Sequence, residues 1–207
     1  HWCDVGCHFN KKGIWRLKEY IEIVEQDRNG CLFFSYKKPT LEKKFSKYNF
    51  PNNLEIEYTK ADLINYFNLN DSHEIILSPQ VWGGSFFLRK CIISENLMKE
   101  HFNITRNRYD LIDDDESKFV ENSYPEFKAH RHSQSVLSIL AKKINCDFIS
   151  AYESEWALDE RGQRTFDHLD NYPIVARRDK KRNIFLRFID RQKKNYRRRV
   201  TKLKKFL

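Results

Sequence analysis

Several things are scarce in this sequence. Its 207 residues hold six Gly, five Pro and one Met, with no internal repeat and no low-complexity stretch, so it is not a fibrous or linker-type chain. No apolar run approaches the roughly 18–20 residues that cross a bilayer, and His1–Asn10 has no apolar core of a secretory signal. The five cysteines, at 3, 7, 31, 91 and 146, fit neither a disulfide framework nor a zinc ribbon, and reduced cytosolic thiols are expected. The phosphate-loop lysine motif, the dinucleotide GxGxxG, the nucleophile elbow and HExxH are all missing. The chain begins at His1 and enters at once on a dense motif, so the expectation is a piece of a longer protein.

What is present is apolar and aromatic. Hydrophobic residues make up 40% and aromatics 14%, with 16 Phe and 10 Tyr, which excludes global disorder and supplies a core. Charge is uneven. Of 38 basic and 29 acidic residues, 15 and two lie in 177–207, leaving 23 and 27 in the first 176, a balance of −4. The expected organisation is therefore a mildly acidic body, 1–176, and a basic tail, 177–207. In the tail Phe185, Ile189, Tyr196, Val200, Leu203 and Leu207 recur at helical spacing among Arg and Lys, as in a basic amphipathic helix. Such a helix serves as an anchor on an anionic membrane, tracks nucleic-acid phosphates, or packs its stripe on the body.

In the body, Gly13–Glu25 reads as a helix with Ile14, Leu17, Ile21 and Val24 on one face, ended by Gly30. Cys31–Tyr36 reads as a strand, Thr59–Phe67 as a helix capped by Thr59, and Glu74–Leu77 as a brief strand. Gln80–Lys90 is an apolar segment broken by a Gly pair, and Ser94–Phe102 is helical. Leu111–Pro125 is an acidic connection containing Asp113, Asp114 and Asp115. Ser133–Ile144 is a helix with Val136, Ile139, Leu140 and Lys143 on a face, and Cys146–Ser150 is a strand. Alternating helices and short strands predict an α/β fold.

Three segments depart from a core pattern. In Trp2-Cys3-Asp4-Val5-Gly6-Cys7-His8, Asp4 reads as a carboxylate at a strand end, where open α/β sheets bind ligands. It is a metal or ribose ligand, or else it caps the turn before the next helix. Cys3, Cys7 and His8 lack the second Cys/His pair that zinc needs. In Pro79–Ser85, the pair Gly83 and Gly84 permits close backbone approach to a ligand, with Gln80 and Trp82 as hydrogen-bonding and stacking groups. The alternative is a β-bulge with Trp82 in the core. In His130-Arg131-His132-Ser133-Gln134-Ser135, cations precede a helix with Ser133 as N-cap, which is either a phosphate site or a polar cap.

In this order the three segments resemble the GT-A-fold nucleotide-sugar glycosyltransferases of bacterial and viral polysaccharide or lipopolysaccharide synthesis. Trp2–Asn10 looks like the strand-end "DAGC-x-x-N" form of the family's DxD motif, and Gly13–Tyr20 matches its companion "G-x-x-R-x-x-E-Y". Ser78–Arg89 resembles the strand with the donor-sugar contacts. Tyr124–Lys143 resembles "F-x-x-H-R-H-D-Q-S-x-x-S-L-L". Gly6 stands where the second acid of DxD would be, and Ser133 where Asp precedes Gln134. The resemblance covers roughly residues 1–180 and implies a partial GT-A-like nucleotide-diphospho-sugar transferase fold, whose nucleobase-binding strands precede His1.

It further implies a metal-dependent, hexosyltransferase-like enzyme that retains configuration. Mn2+ or Mg2+ would sit on Asp4, with Gln80, Trp82, Gly83, Gly84, His130 and Arg131 binding the donor and Gln134 and His132 at the transfer site. The partners expected are a nucleotide-sugar donor, a glycan or lipid-linked acceptor, and the anionic inner face of the cytoplasmic membrane through 177–207. Nucleic acid is not expected, because the acidic body offers no second basic face. The competing readings are an inactive transferase-like interaction module and a nucleic-acid-binding protein acting through the tail.

Overall fold

The computed structural model describes residues 1–39, 45–115, 117–118 and 124–177; the tail helix expected over 177–207 falls, from residue 178 on, outside the described residues. The first compact unit runs from His1 to Arg177 and is mixed α/β. Its strands are β1 (Trp2–Cys3), β2 (His8–Phe9), β3 (Cys31–Ser35), β4 (Val81–Leu88), β5 (Asp147–Ser150), β6 (Ala157–Leu158), β7 (Arg164–Thr165) and β8 (Ile174–Val175). Its helices are α1 (Ile14–Gln26), α2 (Glu55–Tyr58), α3 (Ala61–Tyr66), α4 (His73–Ile76), α5 (Ile92–Asn107) and α6 (Ser133–Lys143).

The main sheet has the order β1-β4-β3-β5, with β4 antiparallel to both neighbours and β3 parallel to β5. All five residues of β3, Cys-Leu-Phe-Phe-Ser, are buried, as befits a strand covered on both faces. Cys31 and Phe33 point to one face, where Leu63 and Ile64 of α3, Leu97 and Ile104 of α5, and Val136–Ala141 of α6 form a core. Leu32 and Phe34 point to the other, against Tyr20 and Val24 of α1 and the 151–174 segment. Two small antiparallel pairs, β2–β8 and β6–β7, tie the ends of that second layer.

Several expectations on elements are corrected. Glu74–Leu77 is not a strand. A helical turn forms there, closed by Ile76 N–H to Ser72 C=O, and only Ile76 is buried in α4. Thr59 does not cap α3: Lys60 holds that position, and the Thr59 hydroxyl donates to Glu55 instead. In α1 the period is right and two of the four expected residues, Leu17 and Val24, pack on the core, but Tyr20 completes the buried face in place of Ile14 and Ile21. Ile14 and Ile21 are exposed while Tyr20 and Val24 are buried, because the Tyr20 hydroxyl donates to Glu153, itself paired with Arg16 at 2.6 Å. That buried triad turns the helix, and it drives the Tyr20 phenol well above its ordinary pKa, through burial first and then the Glu153 charge. In α6 every residue from Ser135 to Ala141 is buried, since the helix lies between β4 and α5.

Candidate functional site

Asp4 follows directly on β1. Its N–H donates to Gly84 C=O at 2.8 Å, and Cys7 N–H returns to Asp4 C=O at 2.9 Å, closing a turn over Val5 and Gly6. The strand-end position expected for this carboxylate is the one observed. The Cys7 thiol donates to Gly84 C=O at 3.7 Å, and its pKa is pushed up to about 12, by burial first and then by Cys3. Among the described residues no group of three or more His, Cys, Asp or Glu is placed to hold a metal ion.

Opposite Asp4, β4 is broken by a large bulge. Phe33 pairs with Phe86 and Phe34 with Trp82, so Gly83, Gly84 and Ser85 lie between two consecutive partners on β3. The glycines are there for space. A Cβ on Gly84 would lie 2.1 Å from the Trp82 indole, which folds over it. A Cβ on Gly83 would lie 3.3 Å from the Gln134 side chain. The bulge is thus the hinge of the site: one glycine faces the strand end that carries Asp4, and the other faces the first turn of α6.

Trp82 and Gln80 are corrected as donor-binding groups. Trp82 is 6% exposed and packs edge-on to Phe34, so its ring has no face left for a sugar. Gln80 is fully buried. Its amide nitrogen lies within hydrogen-bond reach of Glu55 Oε2 and of the Thr59 and Ser135 hydroxyls, and its oxygen accepts from Gln134 Nε2 at 3.0 Å. Behind it stands Glu55, 1% exposed, which accepts from Thr59 and Ser138 and pairs with Lys142 at 2.9 Å. Burial pulls the Lys142 ammonium down and the Glu55 charge opposes it. The sequence reading missed this network. Glu55 sits in an unremarked Leu-Glu-Ile-Glu run, and only the packing of α2 against β4 and α6 makes it an interior acid.

The His130–Ser135 segment divides. His130 is buried: Nδ1 accepts from Lys60 N–H at 3.1 Å and Nε2 donates to Leu111 C=O at 3.0 Å. Those two bonds fix a neutral ring, and burial, then His132, lowers its pKa to about 4. It is a brace rather than a phosphate-binding cation. Arg131 is exposed, its guanidinium 4.6 Å from the centre of the Tyr58 ring. His132, not Ser133, occupies the N-cap position of α6, with φ +52°. Its Nδ1 donates to Ile112 C=O at 2.8 Å, and its Nε2 lies 3.6 Å from Asp114. The N–H groups of Gln134 and Ser135 are already taken by Arg131 and His132 C=O, which weakens α6 as an anion site. Beside His130, a cavity of about 430 Å³ is lined by Lys60, Asp113, Asp114, Tyr124 and Phe127 among others. Lys60 pairs with Asp113 at 2.7 Å and holds that carboxyl below its usual range. The acidic connection expected over Leu111–Pro125 contributes part of the cavity wall.

The three segments singled out in the sequence therefore meet. Asp4 is bonded to Gly84 and the neighbouring Gly83 lies against Gln134, His132 and Arg131 stand at the start of α6, and Gln80, Trp82 and His130 serve as supports from within. Comparison with protein-family models, curated proteins and solved structures finds no match for this chain.

Proposed function

We propose that the chain is a glycosyltransferase moving a sugar from a nucleotide-sugar donor to a glycan or lipid-linked acceptor, with its transfer site where β1, the β4 bulge and α6 meet. The observation that carries the reading is that junction. Asp4 N–H donates to Gly84 C=O at 2.8 Å while a Cβ on Gly83 would lie 3.3 Å from Gln134, so the end of β1, the β4 bulge and the start of α6, far apart in sequence, come together.

The roles follow from this geometry. Asp4 alone does not build a resident metal cage. One carboxylate does suit Mg2+ or Mn2+ arriving with a diphosphate, because such ions are commonly held by one or two carboxylates plus substrate phosphates. The ion would neutralise charge on the departing diphosphate, a task shared by the exposed Arg131 and His132. The half-buried Gly83 backbone, next to Gln134, receives the sugar, while the space at Gly84 is filled by the Trp82 indole. Gln134 presents its amide to the reacting carbon and is held still by Gln80, which is tied in turn to buried Glu55, so the group is oriented before the donor binds. The basic tail keeps the enzyme at the inner leaflet, where lipid-linked acceptors reside.

The internal bonding of Gln80, Gln134 and His130 also favours a second reading, a transferase-like module that binds without turning over. Turnover of nucleotide sugars separates the two. Asp4→Ala is expected to lower donor turnover by about 10²–10³-fold, the scale of losing one electrostatic group at a transition state, with an unchanged melting temperature. Turnover equal to wild type in that variant would remove Asp4 from the chemistry.

A further inference from the structure

We infer that the body carries a second membrane-contacting element of its own, the surface of residues 8–15, and that it docks on an anionic lipid bilayer. The inference rests on the membrane part of the proposal above and not on its donor chemistry.

Within seven residues this segment exposes three large apolar side chains, Phe9 at 63%, Ile14 at 60% and Trp15 at 48%. Interleaved with them are the exposed lysines Lys11 and Lys12, and Lys18 follows one turn along α1. Single exposed hydrophobics are ordinary, but a dense aromatic–aliphatic cluster laced with lysine is not. It has the composition of an interfacial element: rings and Ile for the acyl boundary, Trp for the headgroup level, ammonium groups for anionic lipid. Glu19 pairs with Arg16, and Glu22 and Glu25 lie one to two turns beyond Lys18. Asp170 is held nearby by the bond from Asn10 Nδ2 to its C=O.

The presentation is rigid. Asn10 N–H donates to Pro173 C=O at 2.8 Å, and Phe9 pairs with Ile174. Gly13 is pressed so close to the 172–173 backbone that a Cβ would lie 2.2 Å from Pro173 N. The turn cannot fold its apolar side chains inward, so contact with a surface needs no ordering of the backbone. The strand that clamps it, β8, leads in sequence into the 177–207 stretch with its 15 basic residues. A symmetric contact between two copies would set Lys11 and Lys12 against their own equivalents, which disfavours that occupant.

The test is vesicle co-sedimentation of the full chain, with phosphatidylcholine–phosphatidylglycerol vesicles against pure phosphatidylcholine, in wild type, Lys11→Glu/Lys12→Glu and Phe9→Ser/Trp15→Ser. Circular dichroism melts check that the variants fold. With the tail intact in every sample, the lysine pair is expected to lower partitioning onto anionic vesicles by at least about 25-fold, about fivefold per lysine. The apolar pair is expected to lower it by about tenfold or more. Lipids brominated in the acyl chain are expected to quench wild-type fluorescence more than that of Trp15→Phe. Wild-type partitioning in both variants, or equal binding to both kinds of vesicle, overturns the inference. So does a dimer-to-monomer change in Phe9→Ser/Trp15→Ser at constant partitioning, which would make the face a contact between copies. Donor turnover without vesicles reports on the transferase reading separately, so either can fail alone.

Discussion

His130 shows how one side chain can look like a ligand and serve as a brace. Its ring bridges the start of α3 and the 109–111 turn, accepting from Lys60 N–H and donating to Leu111 C=O, and the accepting bond requires the neutral form. With a pKa near 4 in the fold against about 6.5 unfolded, the unfolded chain binds the extra proton first as pH falls. Stability from this group is complete above pH 6.5 and is lost progressively down to pH 4, by about 3 kcal/mol. His101 and His168, also lowered by burial, add with the same sign. Urea unfolding at pH 7.5 and 4.5 is expected to show a smaller pH-dependent loss in His130→Gln than in wild type. An equal loss in both would mean that the buried ring does not titrate as described.

At the scale of elements, the β4 bulge separates structure from chemistry within two adjacent glycines. Gly84→Ala drives a methyl into the Trp82 indole, displaces a buried ring, and is expected to cost about 2–3 kcal/mol with a changed near-ultraviolet tryptophan signal. Gly83→Ala meets only the Gln134 side chain, at contacts that a small shift relieves. It is expected to cost less than about 1 kcal/mol while lowering donor turnover at least tenfold. Equal destabilisation by both would show that Gly83 has no role beyond packing. Legibility of the elements follows the same division. The Cys31–Ser35 strand, α5, α6 and the strand end at Asp4 were readable because their patterns are local. The bulge was readable only as one of two options, since a Gly pair marks close approach without saying what approaches. That Tyr20 rather than Ile14 and Ile21 completes the buried face of α1 was not readable, because it depends on Glu153, 137 residues away from Arg16. Nor was the Glu55–Gln80–Gln134 chain, which exists only once α2, β4 and α6 have packed.

For the whole molecule, the general α/β class and its mixed sheet stand on the backbone itself. No helix among the described residues is long and apolar enough to cross a membrane. The first unit is built as two cores on either side of β3 and β4, and the candidate site lies at the β4 bulge, between residues that belong to both. Under the proposed function a donor would bind there between the β1 turn and the α6 start, and a ligand that binds only the folded chain raises its stability by about 2.7 kcal/mol at 100 times the dissociation constant. The most direct measurement is the thermal melt of wild type and Asp4→Ala against UDP-, GDP- and CMP-sugars, with and without manganese. A manganese-dependent rise with one nucleotide in wild type, lost in Asp4→Ala, is the expected result and names the base. No rise with any of them, or the same rise in both proteins, would contradict a donor site at Asp4.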